Sequence, residues 1–87
     1  MYKIILEKKV QKFLEKQKWQ KIIHDFTQSL MILTLRPYKN NLDIKKIINL
    51  PNTYRLRIGK YRFLYEILDD KIIITFFDAW SRWDVYK

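Results

Sequence analysis

Three arginines flank the only glycine in the chain: Arg55 and Arg57 precede Gly59, and Arg62 follows it. Gly59 can supply the positive φ of a two-residue hairpin turn, so the sequence predicts two strands joined at Gly59-Lys60. In that register Arg57 is directly opposite Arg62, and Arg55 lies on the same face of the sheet. Opposed like charges destabilise a sheet, whereas guanidinium forks bind phosphate oxygens well. The triplet therefore indicates a site for an anion, and the alternative is a merely solvated charged face.

The other face of this hairpin is predicted to form the core side of the sheet. Its side chains are all apolar or aromatic, and they are Tyr54, Leu56, Ile58, Tyr61, Phe63 and Tyr65.

A further strand is expected over residues 71–78, after a turn at Asp69-Asp70. A two-residue turn there would add Ile72, Ile74 and Phe76 to the core face, and it would put Phe77 beside Arg62. A four-residue turn would shift this register. An aromatic ring among arginines is expected where an unstacked base is held against phosphates, although Phe77 could instead pack beneath a loop or the C-terminal segment.

The overall charge points to polyanionic partners. Eighteen Lys and Arg against nine Asp and Glu give a net charge of +9, which favours nucleic acid by counterion release and also attracts an acidic protein. A lysine-rich solvated surface is the alternative. With no cysteine, one histidine and scattered carboxylates, no familiar metal-ligand spacing exists, and a single glycine excludes a glycine-rich phosphate loop. We therefore expect neither a metal nor a cofactor.

The elements that position these residues can be read from periodicity. Residues 2–6 are rich in strand formers, residues 7–18 have helical period, and a longer helix starts near Trp19 and ends at Pro37. Residues 38–51 are expected to form a loop anchored by apolar side chains. The predicted order is β-α-α-β-β-β, a single α+β domain over residues 1–87. Two helices should cover one face of a mostly antiparallel, about four-stranded sheet, leaving the other face to a ligand.

The N-terminal residues and the apolar runs indicate a soluble, cytoplasmic protein. Met1 to Leu6 is followed at once by Glu7, Lys8 and Lys9, so no apolar region of a signal peptide is expected. No apolar run approaches the roughly 20 residues that span a bilayer.

Three segments resemble the RelE/ParE superfamily of bacterial toxins. YRLRIGKYRFLYEI at 54–67 is similar to the central hairpin of that superfamily. The ending SRWDVYK at 81–87 resembles its closing Arg-x-Asp/Glu-Val-Tyr, and LDIKKI at 42–47 resembles its Asp-x-Lys-x-Leu stretch. The resemblance covers nearly the whole chain.

The resemblance implies a toxin that a co-expressed antitoxin neutralises. RelE-like members enter the ribosomal A site and cleave mRNA with the 2′-OH as nucleophile, whereas ParE-like members inhibit DNA gyrase on the same fold. By matched position the catalytic candidates are Arg62, Arg82 and Tyr86. The two arginines would stabilise the phosphorane-like state, and Tyr86 would accept the 2′-OH proton or stack on a base. The candidates for RNA contact are Arg55, Arg57, Lys60 and Phe77.

The chain departs from the RelE-like pattern at three positions. Trp80 stands where those members carry an arginine, Trp83 where many have glycine or a small polar residue, and Ile48 where a basic residue is common. The two tryptophans could be core side chains, base platforms or antitoxin contacts. We favour a ribosome-dependent mRNA endonuclease, and two alternatives remain: a gyrase inhibitor and a non-toxic nucleic-acid-binding relative.

Overall fold

A computed structural model of the chain describes residues 1–17 and 20–82. The sheet has the strand order β1-β5-β4-β3-β2, in which β1 pairs with β5 in parallel and the other pairs are antiparallel. The α+β class and the helix placement are confirmed, but the sheet has five strands instead of about four. In chain order the elements are β1 (Lys3–Leu6), α1 (Lys8–Glu15), α2 (Gln20–Leu35), β2 (Ile44–Lys46), β3 (Thr53–Ile58), β4 (Tyr61–Leu68) and β5 (Ile73–Ser81).

The two helices cover one face of this sheet through aromatic contacts. The Phe13 ring of α1 lies edge-on to Tyr61 and Phe63, each at 6.0 Å between centroids. Phe26 of α2 stacks on Phe63 at 4.3 Å and meets Phe76 edge-on at 5.2 Å. Phe63 is fully buried beneath both helices, so its truncation to alanine would cost about 3–5 kcal/mol.

Neither described helix could span a membrane. In residues 1–17 and 20–82 no helix is long and apolar enough to cross a bilayer. Trp19, which the periodicity places at the start of the long helix, lies outside the described residues.

The fifth strand is β2, where the sequence predicts only a loop. It pairs with β3 so that Ile44 is opposite Leu56 and Lys45 is opposite Arg55. The backbone N–H of Arg57 also donates to the carbonyl of Asp43 at 2.9 Å. Three residues are too few for a visible alternation, and the nearby asparagines and Pro51 are typical of turns.

The β3–β4 hairpin has the predicted register. Ile58 pairs with Tyr61 and Arg57 with Arg62 around the two-residue turn. Gly59 has a φ of +59°, whereas Lys60 does not adopt a positive φ. A positive φ at the first central residue alone is the pattern of a type II′ turn, which favours glycine there.

The β4–β5 connection differs from the two-residue turn at Asp69-Asp70. Leu68 pairs with Ile73, so the connection has four residues, and β5 runs from Ile73 to Ser81 instead of over 71–78. Ile72 has a φ of +55° and is 50% exposed, so its predicted place on the core face is wrong. This strained conformation lets the Ile72 carbonyl accept the Lys3 N–H at 2.9 Å, which begins the β1 pairing.

A β-bulge in β5 reverses which side chains face the helices. Leu64 pairs with Asp78 and Tyr65 with Phe76, which leaves Phe77 as the extra residue. Before the bulge the buried residues are Ile74 and Phe76, as predicted, and after it they are Ala79 and Ser81. Bulges re-aim the side chains that follow them. The bulge therefore turns Trp80 away from the helices.

Candidate nucleic-acid interface

The face of the sheet that the helices leave open carries the predicted arginines. Arg57 and Arg62 are direct cross-strand partners, and Arg55 is two residues from Arg57 on the same face. The N–H of Arg82 donates to the carbonyl of Lys60 at 2.6 Å, which brings the end of β5 against the hairpin turn. We call Arg55, Arg57, Arg62 and Arg82 the arginine cluster.

Arg62 lies at the electrostatic centre of the arginine cluster. Burial lowers the pKa of its guanidinium first, and the charges of Arg57, Arg55 and Arg82 lower it further, against an opposing effect of Asp43. Arginine nevertheless stays protonated at neutral pH. The guanidinium is a partly buried cation surrounded by like charges, and a bound anion would relieve that repulsion.

The hairpin turn itself fixes the Arg62 guanidinium. Its Nη1 donates to the carbonyl of Gly59 at 2.9 Å and to that of Tyr61 at 3.2 Å. A rotamer held in this way loses little further entropy when a phosphate binds.

Asp43 places a carboxylate beside Arg57. Arg57 Nε lies 3.0 Å from Asp43 Oδ2, and both side chains are about half exposed. Within the described residues this is the only ion pair formed by Arg55, Arg57 or Arg62. Exposed pairs are worth about 0–1 kcal/mol, so a phosphate can displace the carboxylate at small cost.

Arg55 has a neighbour that the sequence interpretation missed. Lys45 of β2 is its direct cross-strand partner and adds another cation to this face. The Arg55 Nε is buried, and among the described residues it has no hydrogen-bond partner. The three-residue run Ile44-Lys45-Lys46 carries too weak an alternation to reveal the strand that positions Lys45.

The aromatic residue beside Arg62 is Trp80, so the prediction of Phe77 at that place is wrong. Trp80 is the cross-strand partner of Arg62, and Phe77 occupies the bulge. The two extra residues of the turn and the bulge residue together move the register by three positions.

The Lys60 side chain lies on the helix side of the sheet. The Lys60 ammonium lies 5.4 Å from the centroid of the Tyr61 ring, and with Lys12 and Phe13 it lines a cavity on the helix side. Lys60 touches the arginine cluster through its backbone carbonyl, which accepts the Arg82 N–H. Tyr86 and Trp83 lie outside the described residues, so their roles stay predictions.

Across residues 1–17 and 20–82, no three His, Cys, Asp or Glu side chains could hold a metal ion together. His24 is exposed on α2, away from the sheet.

Comparison with known proteins places the chain in a family. A family model described as the ParE toxin of the type II toxin-antitoxin system, parDE, matches residues 4–86. This chain belongs to the ParE toxin family. The toxin is thus a member of the RelE/ParE superfamily, as its hairpin and ending indicate. No curated protein matches it in sequence.

Solved structures of RelE proteins share the fold of the toxin. A chain of the archaeal RelE–RelB complex from Pyrococcus horikoshii is 24% identical, with 93% of this chain and 94% of that chain covered and a TM-score of 0.81. A chain of the antitoxin–toxin complex RelB–RelE from Methanococcus jannaschii is 27% identical, with 95% of each chain covered and a TM-score of 0.77. The isolated Escherichia coli RelE toxin is 16% identical, with 93% and 84% covered and a TM-score of 0.77.

Proposed function

We propose that this toxin is a ribosome-dependent endonuclease that cuts mRNA in the A site through the 2′-OH, and so inhibits translation in the cytoplasm. The observation that supports it is the arginine cluster. Two arginines are held directly opposite each other, with two more in electrostatic range, on the face that the helices leave open. Such an arrangement destabilises the sheet, and a bound phosphate would offset the repulsion between the arginines.

The side chains of the arginine cluster and of Tyr86 suit RNA cleavage through the 2′-OH. The 2′ oxygen attacks the adjacent phosphorus, the O2′–P bond forms and the P–O5′ bond breaks, leaving a 2′,3′-cyclic phosphate and a 5′-OH. Negative charge grows on the non-bridging oxygens, and Arg62 with Arg82 presents donors to it. Arg55 and Arg57 hold the flanking backbone. Tyr86 takes the 2′-OH proton as general base, and water protonates the leaving 5′ oxygen.

Two macromolecular partners follow from this proposal. The ribosome presents rRNA and positions the mRNA, and a net charge of +9 suits that polyanionic surface. A cognate antitoxin is the second partner, as RelB is for the RelE proteins in the similar complexes. It should be acidic at least locally and mask the arginine cluster. An antitoxin complex in which Arg55, Arg57 and Arg62 stay accessible to solvent would contradict that masking.

A second candidate is a non-enzymatic inhibitor of DNA gyrase. Two observations favour it: the matching family model is that of ParE toxins, and Trp80 occupies the place of a RelE-like arginine. Gyrase inhibition would need no proton transfer by Tyr86, so it would survive Tyr86→Phe.

The two candidates separate in parallel assays of one preparation. The purified toxin is incubated with a defined mRNA, with and without programmed ribosomes, and breaks are mapped by primer extension; gyrase supercoiling is measured alongside. Breaks that need the ribosome and fall within A-site codons support the endonuclease. An intact message with blocked supercoiling would establish the gyrase inhibitor. Inactivity in both assays, without toxicity on expression in a host cell, would leave a non-toxic nucleic-acid-binding relative.

A further inference from the structure

Trp80 is the large aromatic side chain that the bulge brings to the arginine cluster. Its Cα is the direct cross-strand partner of Arg62, so the two side chains leave the same face with Cβ atoms about 4.5–5.5 Å apart. Ala79 and Ser81 on either side are buried on the helix face. Trp80 therefore cannot serve the hydrophobic core, which lies on the other side of the sheet.

Trp80 is half-buried at this position beside Arg62. In the described part of the chain, all aromatic ring contacts join residues other than Trp80. The core rings pack against one another, whereas this indole stands beside Arg62 and the neighbouring cations. A wide π surface next to a phosphate-binding cation is suited to a nucleobase, because the base of a bound nucleotide lies one sugar away from its phosphate.

We propose that Trp80 is the platform on which one base of the bound RNA stacks while Arg62 holds the adjoining phosphate. This inference rests on the proposed endonuclease function and adds a specificity-determining residue to it. Every base has a π face, so the platform accepts all four. Purines stack more strongly, and codons with a purine at that one position should be cut several-fold faster.

A change in the substrate tests the platform without altering the protein. mRNAs carrying one abasic ribonucleotide, with the 2′-OH retained, are placed in programmed ribosomes at each of the three A-site positions in turn. Single-turnover cleavage by the wild-type toxin should slow roughly tenfold at one position, in line with the loss of one stacked base. Equal rates at all three positions would overturn the inference.

Variants of Trp80 then assign the effect to this residue. On the intact codon, Trp80→Ala should slow cleavage by a similar factor, and the sensitive abasic position should add little further slowing. Trp80→Phe should retain part of the rate. Trp80→Leu keeps apolar bulk without a π face and should behave like Trp80→Ala, which covers the case that the alanine variant does not fold. Thermal unfolding of each variant provides the folding control.

The results distinguish a failure of the proposed endonuclease function from a failure of the Trp80 inference. If wild-type toxin cuts no message on ribosomes, the proposed function fails and the platform with it. If the wild type cuts but the Trp80→Ala and abasic effects multiply independently, the stacking partner is another residue and the inference is overturned. Wild-type cleavage by both Trp80→Ala and Trp80→Leu would overturn it as well, and it would leave a protein contact as the use of this ring.

Discussion

The position of Arg62 is unfavourable for folding, because like charges surround it, but it suits the proposed binding of a phosphate. It has three like-charged neighbours, Arg55, Arg57 and Arg82, yet it is held by two backbone carbonyls of its own hairpin. These bonds stabilise the guanidinium in one orientation while the repulsion persists. That is the preorganisation expected of a group that meets charge developing in a transition state.

Replacing Arg62 should therefore damage catalysis much more than folding. Arg62→Ala should lower the single-turnover rate of ribosome-dependent cleavage about 10²–10³-fold, the usual effect of removing one transition-state donor. Arg62→Lys should recover only part of the rate, since lysine keeps the charge but loses the fork. Arg36→Ala is the matched control, because Arg36 is an exposed arginine after the end of α2. A loss of activity in the control as large as that of Arg62→Ala would refute a specific role.

Asp43 should restrain RNA binding by competing for Arg57. Asp43→Asn removes the carboxylate 3.0 Å from Arg57 Nε. We expect ribosome binding to tighten about 2- to 5-fold at low salt, the equivalent of one exposed ion pair, and the gain to disappear at high ionic strength. Asp25→Asn is the control, since that carboxylate pairs with Lys21 on α2. Weaker binding by Asp43→Asn would mean that Asp43 orients Arg57 for RNA instead of competing with it.

At the scale of elements, the two hairpins show what a sequence can and cannot specify. Gly59 fixes the β3–β4 register because a positive φ at that turn strongly favours glycine, so the opposition of Arg57 and Arg62 could be predicted. The β4–β5 turn has no such residue. Its positive φ falls on Ile72, a β-branched residue that seldom adopts it, and tertiary pairing of Ile72 with Lys3 decides the conformation.

The alternation of apolar and polar residues does not predict the bulge at Phe77 either. Phe76-Phe77 is apolar at both positions, so alternation cannot tell which ring faces the helices. The core residues of the first hairpin and the arginine pair followed from the sequence, whereas Trp80, Lys45 and the end of β5 required the three-dimensional register.

The β4–β5 turn is also held by a tyrosine–carboxylate cluster that should be sensitive to acid. Tyr2 Oη donates to Asp69 Oδ1 at 2.6 Å, and Tyr38 Oη donates to Asp69 Oδ2 at 2.7 Å. These bonds from Tyr2 and Tyr38 lower the pKa of Asp69. A depressed carboxyl pKa contributes stability above the unfolded value, near 3.8, and that contribution is lost as the pH falls through the folded pKa.

Asp69→Asn should accordingly lower the melting temperature at pH 7, and the gap to the wild type should narrow below about pH 4. Asp70→Asn, at the neighbouring exposed position, is the control and should change little. Thermal unfolding followed by circular dichroism between pH 3 and 8 measures both variants. A gap that stays constant across this range would show that the Asp69 carboxylate charge does not matter to the turn.

In the whole molecule, the net charge and the architecture both favour the binding of a polyanion. The helices close one side of the sheet, so the open side is free to meet a large polyanion, and the net charge of +9 extends the attraction beyond the arginine cluster.

Ribosome affinity should fall about 10²-fold between 50 and 200 mM salt if roughly four phosphates are contacted. Arg62→Ala should reduce the slope of log affinity against log salt by about one. An affinity independent of salt would contradict a phosphate-binding face.

The most direct test of the central claim is to remove the nucleophile from the message. A programmed ribosome carries an mRNA with a single 2′-deoxynucleotide at the mapped cleavage position, and its cleavage is compared with that of the all-ribose message. We predict that the break at that position disappears while the message stays bound, because the O2′–P bond cannot form. Cleavage at an undiminished rate would contradict the proposed mechanism, since the 2′-OH would then not be the attacking group.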